Sequence, residues 1–386
     1  LESRFNPPFF AGFFFDQASG NIFYATASDL NSFNYPANRA ATLTFDPNTG
    51  IPLSGPPVNV NATLQDVPNP YAYRYSLTWE YELGANWLAS VAYQGSAAHK
   101  LPRLVPYHKF VTPNPRIGSV NLMLTDVNSN FNALLVGATH RFARGFLFNA
   151  EYRWSKSLDT CSNDHDCRQT YPFDQRTEYG PSDFDVRHAL KAYGVWELPL
   201  LRGRSDWLGK LVGGWEVSGI LTASSGFPWT PVVGGGQCNA QVAGGNVCPL
   251  RPVAQVRPPA TTDTGNDTFL GAGPFPGGGL LYFVPPPAGT FAVPPRPGVG
   301  RNSLRGPRYF SVDMTLLKRF GLPAMPVFGE KSGIELRANF YNLFNTVNLA
   351  PFQANDDNTQ IQHPDFGRAL HVLAGRVVEI QARFSF

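Results

Sequence analysis

The stretch YAYRYSLTWEYEL places Tyr71, Tyr73, Tyr75, Leu77, Trp79, Tyr81 and Leu83 on one side of an extended chain. Ala72, Arg74, Ser76, Thr78, Glu80 and Glu82 fall on the other side. Only a period of two separates these sets; a helix would smear them around its circumference. The run exceeds the ~5–6 residues of an ordinary strand. It suits a tilted strand of about 9–11 residues crossing a bilayer, together with its ends. GAN at 84–86 then makes a tight turn, and Trp87, Ala89, Val91 and Tyr93 resume the alternation, so the unit is a hairpin.

The same unit recurs. FNALLVGATHRFA turns at Arg144-Gly145 into FLFNAEYRWSKS, where Phe148, Ala150, Tyr152 and Trp154 alternate with Asn149, Glu151, Arg153 and Ser155. VRHALKAYGVWEL and GWEVSGILTASS flank a turn near 199–213; YFSVDMTLLKRF and SGIELRANFYNLFN flank another near 321–331. RVVEIQARFSF ends the chain, with Val378, Ile380, Ala382, Phe384 and Phe386 on its apolar side. With an opening strand around NPPFFAGFFF, about ten strands are expected and no helix. Short connections alternate with long ones near 16–70, 100–130, 158–185, 226–306 and 347–375. That alternation is expected of a membrane β-barrel with short periplasmic turns and long extracellular loops.

Composition agrees. Charged residues are 15% of the chain, against about 25% in a soluble domain. Glycine (37) and proline (35) favour loops. No run of about 18 apolar residues exists, so no transmembrane helix is expected, a rule that does not bear on strands. The net charge of +3 does not point to nucleic acid. LESRFNPPFF lacks the basic and apolar regions of a signal peptide, and the chain is read as mature or as a fragment.

Lipid satisfies no polar group, so the apolar set faces outward. Tyr71, Tyr73, Trp79, Tyr81, Trp87, Tyr93, Trp154, Trp196 and Trp215 fall toward strand ends, as interfacial girdles do. The polar set lines the interior and carries Arg74, Glu80, Glu82, Glu151, Arg153, Arg187, Lys191, Glu197, Asp313, Arg319, Glu335, Arg337, Glu379 and Arg383. Two readings fit that set: a cross-strand ladder that keeps a wetted wall rigid, or a polar path and docking surface. A soluble β-sandwich would need shorter strands and would leave the terminal aromatics unexplained.

Cys161 and Cys167, and Cys238 and Cys248, form two close pairs without zinc-like spacing. Two local disulfides are expected, both in extracellular loops counted back from a periplasmic terminus. DTCSNDHDC offers Asp159, Asn163, Asp164 and Asp166 as oxygen ligands that suit calcium. It lacks the twelve-residue loop pattern, and a solvated acidic loop is the favoured reading. The histidines are scattered, Ser224-Ser225-Gly226 is not a nucleophile elbow, and GGG at 234–236 and 277–279 lacks the Lys of a phosphate loop. No enzyme, cofactor or metal is expected.

Several segments together resemble the carboxy-terminal half of TonB-dependent outer-membrane receptors. They are NPYAYRYSLTWEYEL with SVAYQGSAAHKLPR, NFNALLVGATHRFARGFLFNAEYRWSKSLD, DFDVRHALKAYGVWELP, RPGVGRNSLRGPRYFSVDMTLLKRF and ELRANFYNLFNTVN, within 68–386. The nearest likeness is to the Oar-like subgroup, with a carboxypeptidase-regulatory-like domain, abundant in Acidobacteria. The resemblance implies a plug inside a barrel of about 22 strands, energised uptake of a bulky polar nutrient, and a TonB complex acting through the plug. It also implies that barrel-assembly machinery reads the last strand, which must be paired on both edges in a closed barrel. No plug or TonB box matches within this chain. The division expected is an opening strand and long extracellular loop over 1–70 and barrel strands over 71–386, as a fragment or a split gene. A surface-structural or adhesive barrel without transport is the alternative.

Overall fold

The computed structural model describes residues 58–63, 66–106, 117–162, 171, 174–201, 204, 206–233, 250–256, 278–287, 295–321, 332–352 and 357–385. In chain order the strands are β1 (Val58–Thr63), β2 (Tyr71–Glu82), β3 (Trp87–Pro106), β4 (Ile117–Ala143) and β5 (Phe146–Asp159). There follow β6 (Gly180–Pro181), β7 (His188–Glu197), β8 (Trp215–Ser224), β9 (Pro228–Trp229) and β10 (Ala254–Gln255). The last are β11 (Phe283–Val284), β12 (Leu304–Arg305), β13 (Tyr309–Gly321), β14 (Gly333–Tyr341) and β15 (Val377–Ser385). Among the described residues two short α-helices interrupt them, α1 (Gln175–Glu178) and α2 (Trp207–Val212), with 3-10 turns at Gly278–Leu281 and Asp357–Thr359.

The main sheet runs β2-β3-β4-β5-β7-β8-β13-β14-β15. Every neighbouring pair along this path is antiparallel. It is an up-and-down meander in which each expected hairpin of the 71–386 region forms. The register carries one face unbroken across it: Trp79 stands opposite Val91, Val91 opposite Val136, and Val136 opposite Tyr152. Tyr152 opposes Leu190, Leu190 opposes Ala223, and Ala223 opposes Phe310. A slip of one residue anywhere would put polar side chains among these. The sheet is not closed: β15 is hydrogen-bonded only to β14 among the described residues, and β2 only to β3. The molecule is part of a barrel.

Three expectations change. The helix-free reading fails at α1 and α2, because Asp174 and Asp206 each accept a hydrogen bond from a first-turn amide and cap a short turn of helix. The 100–130 connection is largely strand, since β3 has 20 residues and β4 has 27. At about 3.3 Å per residue β4 runs roughly 90 Å, well beyond a 40–45 Å bilayer, so the far end of the β3–β4 hairpin projects beyond the membrane. Its upper part is locked where Arg103 binds Asp126, with Nη2 to Oδ2 at 2.7 Å. The 16–70 connection contains β1, which pairs in parallel with Ile117–Met123 of β4. The opening strand expected within 1–15 lies outside the described residues.

The long loops carry their own core. Trp229, Val233, Leu250, Tyr282, Phe283, Val299, Leu304, Phe352, Ile361, Phe366 and Ala369 form one buried cluster. The Trp229 indole meets Phe352 edge-on at 4.9 Å and Phe366 at 5.5 Å. β12 pairs with β9, placing Leu304 opposite Trp229. Residues from the 225–308 and 342–376 connections thus fold into one extracellular cap.

Candidate functional site: an inward wall beneath an ion-paired cap

Burial along the top of β5 shows which way the cap folds. Ser155, Ser157 and Asp159 on the polar face are 5%, 4% and 1% exposed, whereas Trp154 on the apolar face is 52% exposed. The loops therefore cover the polar, inward face and leave the apolar wall bare for lipid.

Three arginines of the cap, Arg251, Arg301 and Arg305, meet four carboxylates, Asp159 at the end of β5 and Glu178, Asp183 and Asp185 of the connection that follows it. Arg301 binds the Asp159 carboxylate, reaches Asp183 at 3.2 Å and Ser162 at 3.1 Å, and donates to the Glu178 carbonyl at 3.0 Å. Arg305 binds the Asp185 carboxylate and donates to the Asp185 carbonyl at 2.7 Å. Asp185 accepts the Ser157 amide at 2.6 Å, which ties that pair to the β5 strand. Arg251 donates to Glu178 at 2.8 Å. Asn302 donates to Asp183 at 2.6 Å, and its own amide donates to Thr230 at 2.8 Å. Burial lowers the Arg251 pKa, and the Glu178 carboxylate beside it opposes that loss.

Sequence reading did not single these residues out as a site. DFDVRH and RNSLR stood among the segments carrying the resemblance, but nothing in their linear order shows that Asp183 and Asp185 meet Arg301 and Arg305. Asp159 was a candidate calcium ligand. Its carboxylate is instead taken by Arg301 and by Ser162 at 2.9 Å. Asn163, Asp164 and Asp166 lie outside the described residues, and among the described residues no cluster of three metal-ligating side chains occurs. Cys161 follows β5 at the extracellular end and carries no free thiol. Cys167, Cys238 and Cys248 lie outside the described residues.

The charged positions read from the sequence share one face of the sheet, the face that carries Ser155, Ser157 and Asp159, but do not converge. At the periplasmic rim Arg319 joins Glu216 at 2.9 Å and Glu335 at 3.2 Å, and Glu335 also holds Arg337 at 2.9 Å. Arg383 stands opposite Glu335, and Glu216 opposite Glu197. Midway, Glu151 faces Lys191. Glu379 accepts from the Tyr341 hydroxyl at 3.4 Å, and Asp313 accepts the Asn342 amide at 2.8 Å. Arg153 lies opposite Ala189 near the cap, and Arg187 lies 3.9 Å from Asp185. On the edge strand, Glu82 meets Arg141 at 3.4 Å, while Arg74 and Glu80 stand opposite Ser96 and Ser90. Between rim and cap a cleft of about 330 Å³ opens on this face. It is lined by Tyr193, Ile220, Asp313, Thr315, Asn339 and Tyr341, with Thr315 donating to Asn339 at 2.9 Å.

An open meander with an apolar outer wall, short turns at one rim and folded loops at the other defines an integral outer-membrane barrel protein. Residues 2–379 match the outer membrane beta barrel domain family, and the chain belongs to that family. Its place is the outer membrane. No curated protein matches it. Solved structures with a similar course include the outer membrane transporter YddB from Escherichia coli, at 10% identity and a TM-score of 0.46, covering 85% of this chain and 34% of that one. The copper transporter OprC matches at 11% identity and a TM-score of 0.35, covering 83% and 32%. The FrpB iron transporter from Neisseria meningitidis matches at 11% and 0.36, covering 84% and 33%. The chain spans about a third of the length of these proteins.

Proposed function

We propose that this chain is the carboxy-terminal part of the barrel of a TonB-dependent receptor of the Oar-like type, and that the whole receptor takes up a bulky polar nutrient. The observation that carries the reading is the inward folding of the loops over a charged wall. A barrel that merely displayed its loops would have no reason to bury Ser155, Ser157 and Asp159 beneath them. A lumen that admits a solute and excludes others needs a folded mouth above a polar lining. The Tyr193–Tyr341 cleft offers aromatic faces beside hydroxyl and amide groups, a lining suited to a hydroxylated or amide-bearing solute. The rim ladder of Glu216, Arg319, Glu335 and Arg337 is the proposed docking surface for a plug, through which a TonB complex would act. Barrel-assembly machinery would recognise the β15 strand.

Uptake by the full-length receptor tests this. Cells lacking the energising complex should lose accumulation of the nutrient while still binding it at the surface. Equal accumulation with and without that complex would overturn the transport reading and leave a binding barrel.

A further inference from the structure

We propose that the periplasmic turn between β7 and β8 is a membrane-interface anchor, with α2 seated against the lipid-facing wall and dipping its apolar side into phospholipid of the periplasmic leaflet. Lys318 fixes the position. It sits opposite Trp215 on the apolar, outward face and is 2% exposed. Its ammonium donates to the carbonyl of Gly213, the residue that caps the carboxy-terminal end of α2. The same ammonium lies over the Trp215 ring at 5.5 Å and the Phe320 ring at 5.0 Å. The end of the helix is thus pinned outside the barrel wall, at the level of its periplasmic aromatic residues.

What α2 leaves uncovered is apolar. Trp207 and Leu211 are one helical turn apart, so they share a side, and they are 71% and 58% exposed. Leu200 and Leu201, just before the helix, are exposed as well. An exposed tryptophan and three leucines in one turn are costly in water. The patch continues a wall that already meets lipid, so the occupant that fits is the bilayer itself. Charge agrees: the sequence places Arg202, Arg204 and Lys210 within this turn, and Asp206 is engaged by Arg204 at 2.8 Å and by the Gly209 amide at 3.0 Å. A basic turn with an apolar face suits an interface carrying anionic headgroups, with the apolar side buried about 5–10 Å.

The test uses the full chain reconstituted in vesicles of phosphatidylethanolamine and phosphatidylglycerol. A nitroxide is attached at Leu211→Cys, with wild type treated alike to correct for reaction at native cysteines. Collision with dissolved oxygen should exceed collision with a water-soluble nickel chelate, as at a lipid-facing strand position, and phosphatidylglycerol should raise that ratio. Greater access to the nickel chelate would show a turn in water and overturn the proposal. Protection from both probes would show a protein cover, a second copy or a periplasmic partner, and would overturn it equally. A label at Leu200→Cys repeats the measurement outside the helix, so that distortion of α2 cannot account for the result.

Discussion

Arg251 and Glu178 meet at 2.8 Å with side chains 2% and 1% exposed, a fully buried ion pair in the cap of a membrane protein. Removing one partner of such a pair strands the other charge, at about 3–5 kcal/mol. Arg251→Met should therefore loosen the cap while leaving the strands paired. Limited proteolysis of the detergent-solubilised protein should cut near Leu250 and Tyr282 at lower protease concentrations than in wild type. Strand circular dichroism should be unchanged. Arg251→Met combined with Glu178→Gln should recover part of the resistance.

Arg301 and Arg187 separate a structural cation from a peripheral one. Arg301 reaches Asp159, Asp183, Ser162 and the Glu178 carbonyl; Arg187 has a single carboxylate at 3.9 Å. Arg301→Gln should lower cap stability by about 2–4 kcal/mol. Arg187→Gln should change it by under about 1 kcal/mol. Hydrogen exchange at the Ser182 and Asp185 amides reads the difference, and equal effects of the two variants would refute the network.

Asn132 faces lipid, yet its side-chain oxygen accepts from the Tyr75 hydroxyl at 2.9 Å and the Tyr93 hydroxyl at 2.6 Å. The Tyr75 ring lies over Gly95, where an added Cβ would come within 2.2 Å of it. Asn132→Leu would leave two hydroxyls without that acceptor in a medium that offers none. It should cost about 1–3 kcal/mol in urea unfolding from lipid vesicles. Asn132→Leu with Tyr75→Phe and Tyr93→Phe should restore most of that loss.

Gly226 lies where two segments of the cap touch: a Cβ there would come 1.9 Å from the Gly306 carbonyl oxygen. No flexible side chain can yield, because the obstacle is backbone. Gly226→Ala should detach β12 from β9, shift the Trp229 emission to longer wavelength and leave the barrel strands intact. An unchanged emission would show that the close approach is dispensable.

We further predict that Cys161 pairs with Cys167 and Cys238 with Cys248. Each would close a short loop and stabilise by about 2–3 kcal/mol through restriction of the unfolded chain. Mass spectrometry of peptides from the unreduced protein should find those two links. A crossed link would contradict the pairing.

The strands and their facing were legible in the sequence because the lipid-exposed wall imposes a local rule. Each residue of YAYRYSLTWEYEL or RVVEIQARFSF meets either lipid or water, so a period of two is written into the chain itself. Short and long connections were legible for the same reason, since they are the gaps in that period. The cap was not. Asp185 and Arg305 are separated by 120 positions, and Trp229 and Phe366 belong to different connections. Their contacts have no period, and a buried Asp looks in sequence like any acidic loop residue. Asp159 shows the same limit: a carboxylate's partner is chosen by the fold, and here it is Arg301. The length of the β3–β4 hairpin escaped for a related reason, because beyond the bilayer both faces meet water and the alternation fades. The sequence alone determined which residues share a face of the sheet, because a period of two is set residue by residue. Only the tertiary structure decided what covers the interior, because that depends on side chains that meet through space.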